Sequence, residues 1–261
     1  MNIQIPQAML GMQQKDPKEI ARKILQHPPL IAASCSDGIV IAALTQPNAP
    51  YRVRKIVGHL GYGAIGFYRH IREVAEPVCA SAIAAFHHSS PDDVWVQQLA
   101  EDAQTHMHTR NENILTASPS KASIVFVGLG AEQEHDELAF VDIESKIHLG
   151  LRFVVIPDIL APYEKSATSG SERSRLSTAL SWRAQDTMDE ALAKCFSLEA
   201  AWREQIAKLK RNAEKEPLVW EVGRFSRQKL LEAAKDPDGR FVRNIFRHEI
   251  VERERGKESA L

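Results

Sequence analysis

No apolar run in this chain approaches the roughly 20 residues needed to cross a bilayer, so no helical membrane anchor is expected. The opening, MNIQIPQAMLGMQQKDPKE, has no basic start followed by an apolar core, and no secretory leader is expected either. Net charge is nearly absent. The 33 Lys and Arg against 34 Asp and Glu leave −1, which argues against nonspecific nucleic-acid binding, a mode that draws most of its affinity from excess cationic side chains. Cysteine is scarce: Cys35, Cys79 and Cys195 cannot all pair with one another, and each has apolar or helical neighbours. That usage suits a reducing cytosol, and a cytoplasmic location is the expectation. No threonine precedes Thr45, and no G-x-S-x-G elbow occurs anywhere.

With 261 residues, 44% of them hydrophobic, the chain can still bury a sizeable core. Its organising stretch is 30–72. Leu30–Cys35 and Ile39–Leu44 are short apolar runs separated by Ser36-Asp37-Gly38, and an Asp-Gly pair in that position marks a hairpin. After Pro47-Asn48-Ala49-Pro50, Tyr51–Leu60 reads as a third strand, and the extended, small-residue Gly61–Phe67 leads into a helix. Two antiparallel pairs feeding a helix point to a sheet with helices laid on one face.

These residues resemble the proteasome subunits, and the α-type subunits of bacterial proteasomes more than the catalytic β-type. The resemblance lies in the strand–turn–strand Ile31–Ala43, the run Arg52-Val53-Arg54-Lys55-Ile56 and the glycine-punctuated Leu60–Tyr68; it extends more weakly to Arg152–Pro157 and Arg240–Ile250. It implies the N-terminal nucleophile hydrolase fold, a four-layer αββα sandwich of antiparallel sheets flanked by helices, with an extra N-terminal helix. Pattern alone reaches only α+β.

Before the hairpin, residues 1–15 are polar and without a clear period, the composition of a mobile or partner-ordered arm. Asp16-Pro17-Lys18-Glu19 spells a helix start, with a capping residue, a first-turn proline and a capping-box acid, and Pro28-Pro29 ends that helix. Phe67, Ile71, Val74, Val78, Ala82 and Ala85 form one helical stripe, interrupted by Pro77, which should kink the helix or end its first half. A second helix is expected from Ser90-Pro91, with Val96, Leu99, Ala100, Ala103 and Met107 buried. Ser123–Gly130, Leu138–Ile143 and Gly150–Ile156 read as a meander of three strands. Ala161–Ser177 reads as a surface loop, about 176–211 as a long helix, Leu218–Phe225 as a strand and Lys229–Gly239 as a polar linker. Arg240–Ile250 is expected at a sheet edge, and the charge-alternating 251–261 as a solvated tail. The division is thus an arm at 1–15, one domain at 16–250 and the tail.

Three chemistries can be weighed on the residues. Gly61-Tyr62-Gly63-Ala64-Ile65-Gly66 matches the dinucleotide fingerprint G-x-G-x-x-G. A Rossmann unit then needs a parallel strand ending in an acid about 20 residues on, where this chain has Phe86-His87-His88. Small residues that let a helix pack close to the sheet are the simpler reading, with a dinucleotide-binding oxidoreductase as the alternative. Among ten histidines, His87-His88 and His106-x-His108 are closest, but neither pair has the i, i+4 spacing of a zinc site. No metal and no cofactor are expected. Cys35 in an apolar strand is ordinarily a small hydrophobe, and no activating partner can be named for it.

The resemblance decides the rest. Proteasome β-type subunits cut with a threonine heading the first strand, its own amine acting as base. Sliding the hairpin turn onto that pattern puts the nucleophile position near Pro28, Leu44 where the family has an acidic partner, and Arg52 where it has the catalytic lysine. The implied protein has no catalytic residues: a seven-membered α-type ring, capping β-type subunits and docking an ATPase activator through its C-terminal tails, with no nucleic-acid or membrane partner. Ile3, Ile5 and Pro6 would belong to the gate. Lys55, with Arg54 and Arg52, would form the activator-binding site, because a flexible point charge suits a terminal carboxylate. A stand-alone scaffold of the same fold, without a protease partner, is the remaining alternative.

Overall fold

The structure, a computed structural model, describes residues 29–88, 94–112, 122–156, 182–196, 199, 218–235 and 252–254. Strands β1 (Leu30–Cys35) and β2 (Gly38–Thr45) pair antiparallel around the Ser36-Asp37 turn. Gly38 is required there by close approach: a Cβ would stand 2.1 Å from the carbonyl oxygen of Phe225. The hairpin is central to a five-stranded sheet in the order β10-β9-β2-β1-β8, where β8 is Phe153–Ile156, β9 Val219–Ser226 and β10 Glu252–Glu254. The second sheet runs β3-β4-β5-β6-β7, made of Val53–Val57, Leu60–Gly66, Ala122–Gly128, Glu137–Val141 and Ile147–His148. Every pairing in both sheets is antiparallel. The chain is therefore a mixed α+β protein with two antiparallel sheets.

Burial explains why β1, β2 and β5 are almost continuously apolar instead of alternating: both of their faces are covered. Leu30, Ala32, Ile39, Ile41 and Ala43 of the first sheet meet Val53, Ile65, Val125 and Val127 of the second in one shared core. The opposite face of the second sheet packs on helices α1 (Tyr68–His88) and α2 (Val96–Glu112). The opposite face of the first sheet packs Ile31, Ala33, Val40 and Ala42 against Met188, Ala191, Leu192 and Cys195 of the helical segment 188–196.

Several expectations are corrected. Tyr51–Leu60 is not one strand: Gly58-His59 turns the chain, so β3 and β4 form a second hairpin, with a bulge between Lys55 and Val57. Pro77 does not end α1, because Val74 and Val78 on either side of it are both buried against the sheet. Packing outweighs the lost hydrogen bond. Phe67 lies outside the helical stripe at 43% exposed, since it precedes the first turn and offers its carbonyl to His70 and Ile71. The structure starts α2 at Val96, and 89–93 lie outside the described residues. Of the three strands expected as a meander only β5 and β6 pair as neighbours; the short β7, which was not expected, continues that sheet. Gly150, at φ 67° in the left-handed region, turns the chain across so that β8 pairs with β1 in the other sheet.

Residues 182–187 are not helical; the helical segment begins at Met188, where Thr187 and Glu190 form a reciprocal capping box of 2.8 and 3.3 Å. Part of the expected polar linker is helix α3 (Arg227–Ala234), and part of the expected solvated tail, Glu252–Glu254, pairs along β9. The N-terminal arm and helix, the loop Ala161–Ser177 and the strand Arg240–Ile250 lie outside the described residues.

Candidate functional site

In the first hairpin, the described residues at the head of β1, Pro29 and Leu30, have no side-chain hydroxyl or amine. Pro29 precedes Leu30, and its carbonyl accepts the amide N–H of Leu44 at 2.9 Å. Leu44 is wholly buried on the outer face of its sheet, among Trp220 and Leu192. Thr45, the first threonine of the chain, is also buried and terminates β2. Pro28 lies outside the described residues.

Beside this end sits a group that sequence reading passed over. Glu221 of β9, opposite Ala43, is fully buried, and its Oε1 accepts the amide N–H groups of Arg52 (2.8 Å) and Val53 (2.7 Å). A buried carboxylate needs such donors. The pair of bonds ties the entry of β3, an edge strand of one sheet, to β9 of the other. Burial pulls the Arg52 guanidinium below its ordinary pKa, while the Glu221 charge pushes it back up. A lone acid inside the apolar VWEVGRF was the available signal: Trp220 and Val222 face outward, so Glu221 had to face between the sheets.

The three basic residues expected to act together are divided. Arg52 is drawn in beside Glu221, whereas Arg54 is exposed on the α1 side of β3, beside Cys79 and Tyr62. Lys55 faces the other way, partly buried, with Nζ 5.4 Å from the Phe225 ring centroid. Lys55 is thus held at the edge of the sandwich by a cation–π contact. Ile3, Ile5 and Pro6 lie outside the described residues.

At the opposite, turn end of β1 a second buried network joins the sheets. Asp136, in the β5–β6 connection, is inaccessible and accepts from Ser34 Oγ (2.7 Å), Gly130 N (3.0 Å) and both terminal nitrogens of Arg227 (3.0 Å each). The bidentate guanidinium also donates to the carbonyl of Gly130 at 2.5 Å. Asp37 of the hairpin turn caps Met188 at 2.8 Å, binding the helical segment to the same end.

Neither alternative chemistry gains support. Gly61 and Gly63 face the other sheet and not a helix: a Cβ on Gly61 would stand 2.2 Å from Phe225 Cζ, and one on Gly63 2.7 Å from Leu30 Cδ1. Their role is to let two sheets close up, which corrects the helix-packing expectation and leaves no space for a pyrophosphate on that face. Burial, then Asp37, Asp186 and Asp136, push the Cys35 thiol up to about 12 against the opposing Lys194 charge, a direction that disfavours the nucleophilic thiolate. Cys79 and Cys195 are likewise pushed up to about 12 by burial. Among the described residues no three His, Cys, Asp or Glu side chains are grouped to hold a metal, and no helix is long and apolar enough to cross a membrane.

The fold and these two ends define a mixed α+β protein whose antiparallel sheets are clamped by buried carboxylates. Compared with known proteins, the chain matches no protein-family model and no curated protein.

Proposed function

We propose that the chain is a non-catalytic, α-type proteasome subunit with the αββα arrangement of the N-terminal nucleophile hydrolases. The observation that carries the reading is the condition of the β1 head. In that architecture the nucleophile belongs at the start of the strand forming the central hairpin. Here the position leads into Pro29 and Leu30, with Leu44 packed away in the outer core. The order of packing supports it: α1 and α2, then two face-to-face sheets, then the helical segment 188–196.

On this reading seven copies form a ring that caps β-type proteolytic subunits in the cytoplasm, and residues 1–15, including Ile3, Ile5 and Pro6, restrict the axial entrance. Native mass spectrometry and negative-stain imaging of the purified chain test it. A sevenfold ring without peptidase activity is the expected result, and a monomer or dimer that hydrolyses peptides by itself overturns the proposal.

Lys55 is the residue assigned to the carboxylate of an activator tail. It lies on an edge strand and the residue is only partly buried, a placement that suits a point charge meeting a terminal carboxylate. In particles assembled with β-type subunits, Lys55→Ala abolishes ATPase-dependent stimulation of peptide hydrolysis and leaves assembly intact. Undiminished stimulation removes Lys55 from the site.

A further inference from the structure

An open cleft of about 170 Å³ lies between the β3–β4 turn, the end of β5, the start of β6 and the start of α2. Its lining includes His59, Trp95, Gly128, His135 and Glu137. Gly128 lets α2 come this close, because a Cβ there would stand 2.6 Å from Val96 Cγ2. Trp95 is 60% exposed, an unusual cost for so large an apolar side chain. Glu137, also exposed, uses Oε2 to accept the amide N–H of Val96 at 3.3 Å, which sets its carboxylate one residue from the indole. Among the described residues no lysine or arginine pairs with it. The neighbouring cation, Arg152, is directed to the carbonyl oxygens of Gln133 and Glu134.

An exposed indole beside a carboxylate suits a planar cation, which can stack on the ring and hydrogen-bond the acid together. The volume falls well below that of a drug-sized ligand pocket, roughly 300 Å³ or more, and suits one long side chain. We propose that this cleft receives a single arginine side chain from a polypeptide partner. The site is independent of the assembly reading, since none of its lining residues belongs to the β1 head or to the Lys55 edge.

Saturation-transfer NMR with the full chain and acetyl-Gly-Arg-Gly-amide, at low salt, tests the assignment. The arginine peptide is expected to bind at least tenfold more tightly than its leucine or glutamate analogues. Glu137→Gln, which keeps an oxygen to cap Val96, weakens binding at least tenfold, and Trp95→Leu does the same, both with unchanged melting. Equal binding of the leucine peptide, or undiminished binding by the folded Glu137→Gln variant, overturns the proposal.

Discussion

Asp136→Ala lowers stability by about 3–5 kcal/mol, the usual cost of removing one partner from a buried ion pair, and the melting midpoint falls by roughly 10 °C for a chain of this size. The cause is not the lost attraction alone. Arg227, whose side chain is 11% exposed, keeps its charge and loses both bidentate bonds. The hydroxyl of Ser34 and the amide of Gly130 lose their acceptor in the same step. Each orphaned donor adds about 1–3 kcal/mol of desolvation that is no longer compensated. Ser34→Ala, which removes one donor together with its need for a partner, costs only about 1 kcal/mol. The double variant Asp136→Leu with Arg227→Met recovers much of the loss, because apolar replacement of a whole buried pair is often neutral. Thermal unfolding of the set is the measurement. A loss below about 1 kcal/mol in Asp136→Ala, too small for a broken buried pair, shows that the network is not what clamps this end.

Glu221→Ala has the second large effect, about 3 kcal/mol or more. It frees the amides of Arg52 and Val53 and leaves a buried guanidinium without the charge that offsets its burial. Glu221→Gln retains an oxygen for those amides and loses only the charge, so its cost is smaller, about 1–2 kcal/mol. Urea unfolding separates the two variants: the midpoints fall in that order and the slopes are unchanged. Equal costs assign the effect to charge instead of to the two amide bonds.

The central hairpin was readable because two signals agreed, Asp37-Gly38 between apolar runs and the absence of any charged residue within those runs. The stripes of α1 and α2 were readable for a similar reason. A helix lying on a sheet buries one side, and the 3.6-residue period records it: Val96, Leu99, Ala100, Ala103 and Met107 are all buried. The boundaries missed were those where the local signal was present but weak. Gly58 closes a turn inside a stretch that otherwise reads as one strand, and Thr187-x-x-Glu190 opens a helix inside a longer helical pattern.

Sequence alone determined the α+β class and the central hairpin, because each follows from the pattern of neighbouring residues. Which sheet a strand joins is not such a property. β8 reads as the next strand of a meander and pairs instead with β1, since Gly150 redirects the chain and the shared core rewards burial on either sheet. Glu221 and Asp136 acquire meaning only when strands distant in sequence seal them from water. A carboxylate in an extended chain is solvated, and only packing turns it into an acceptor that must be satisfied.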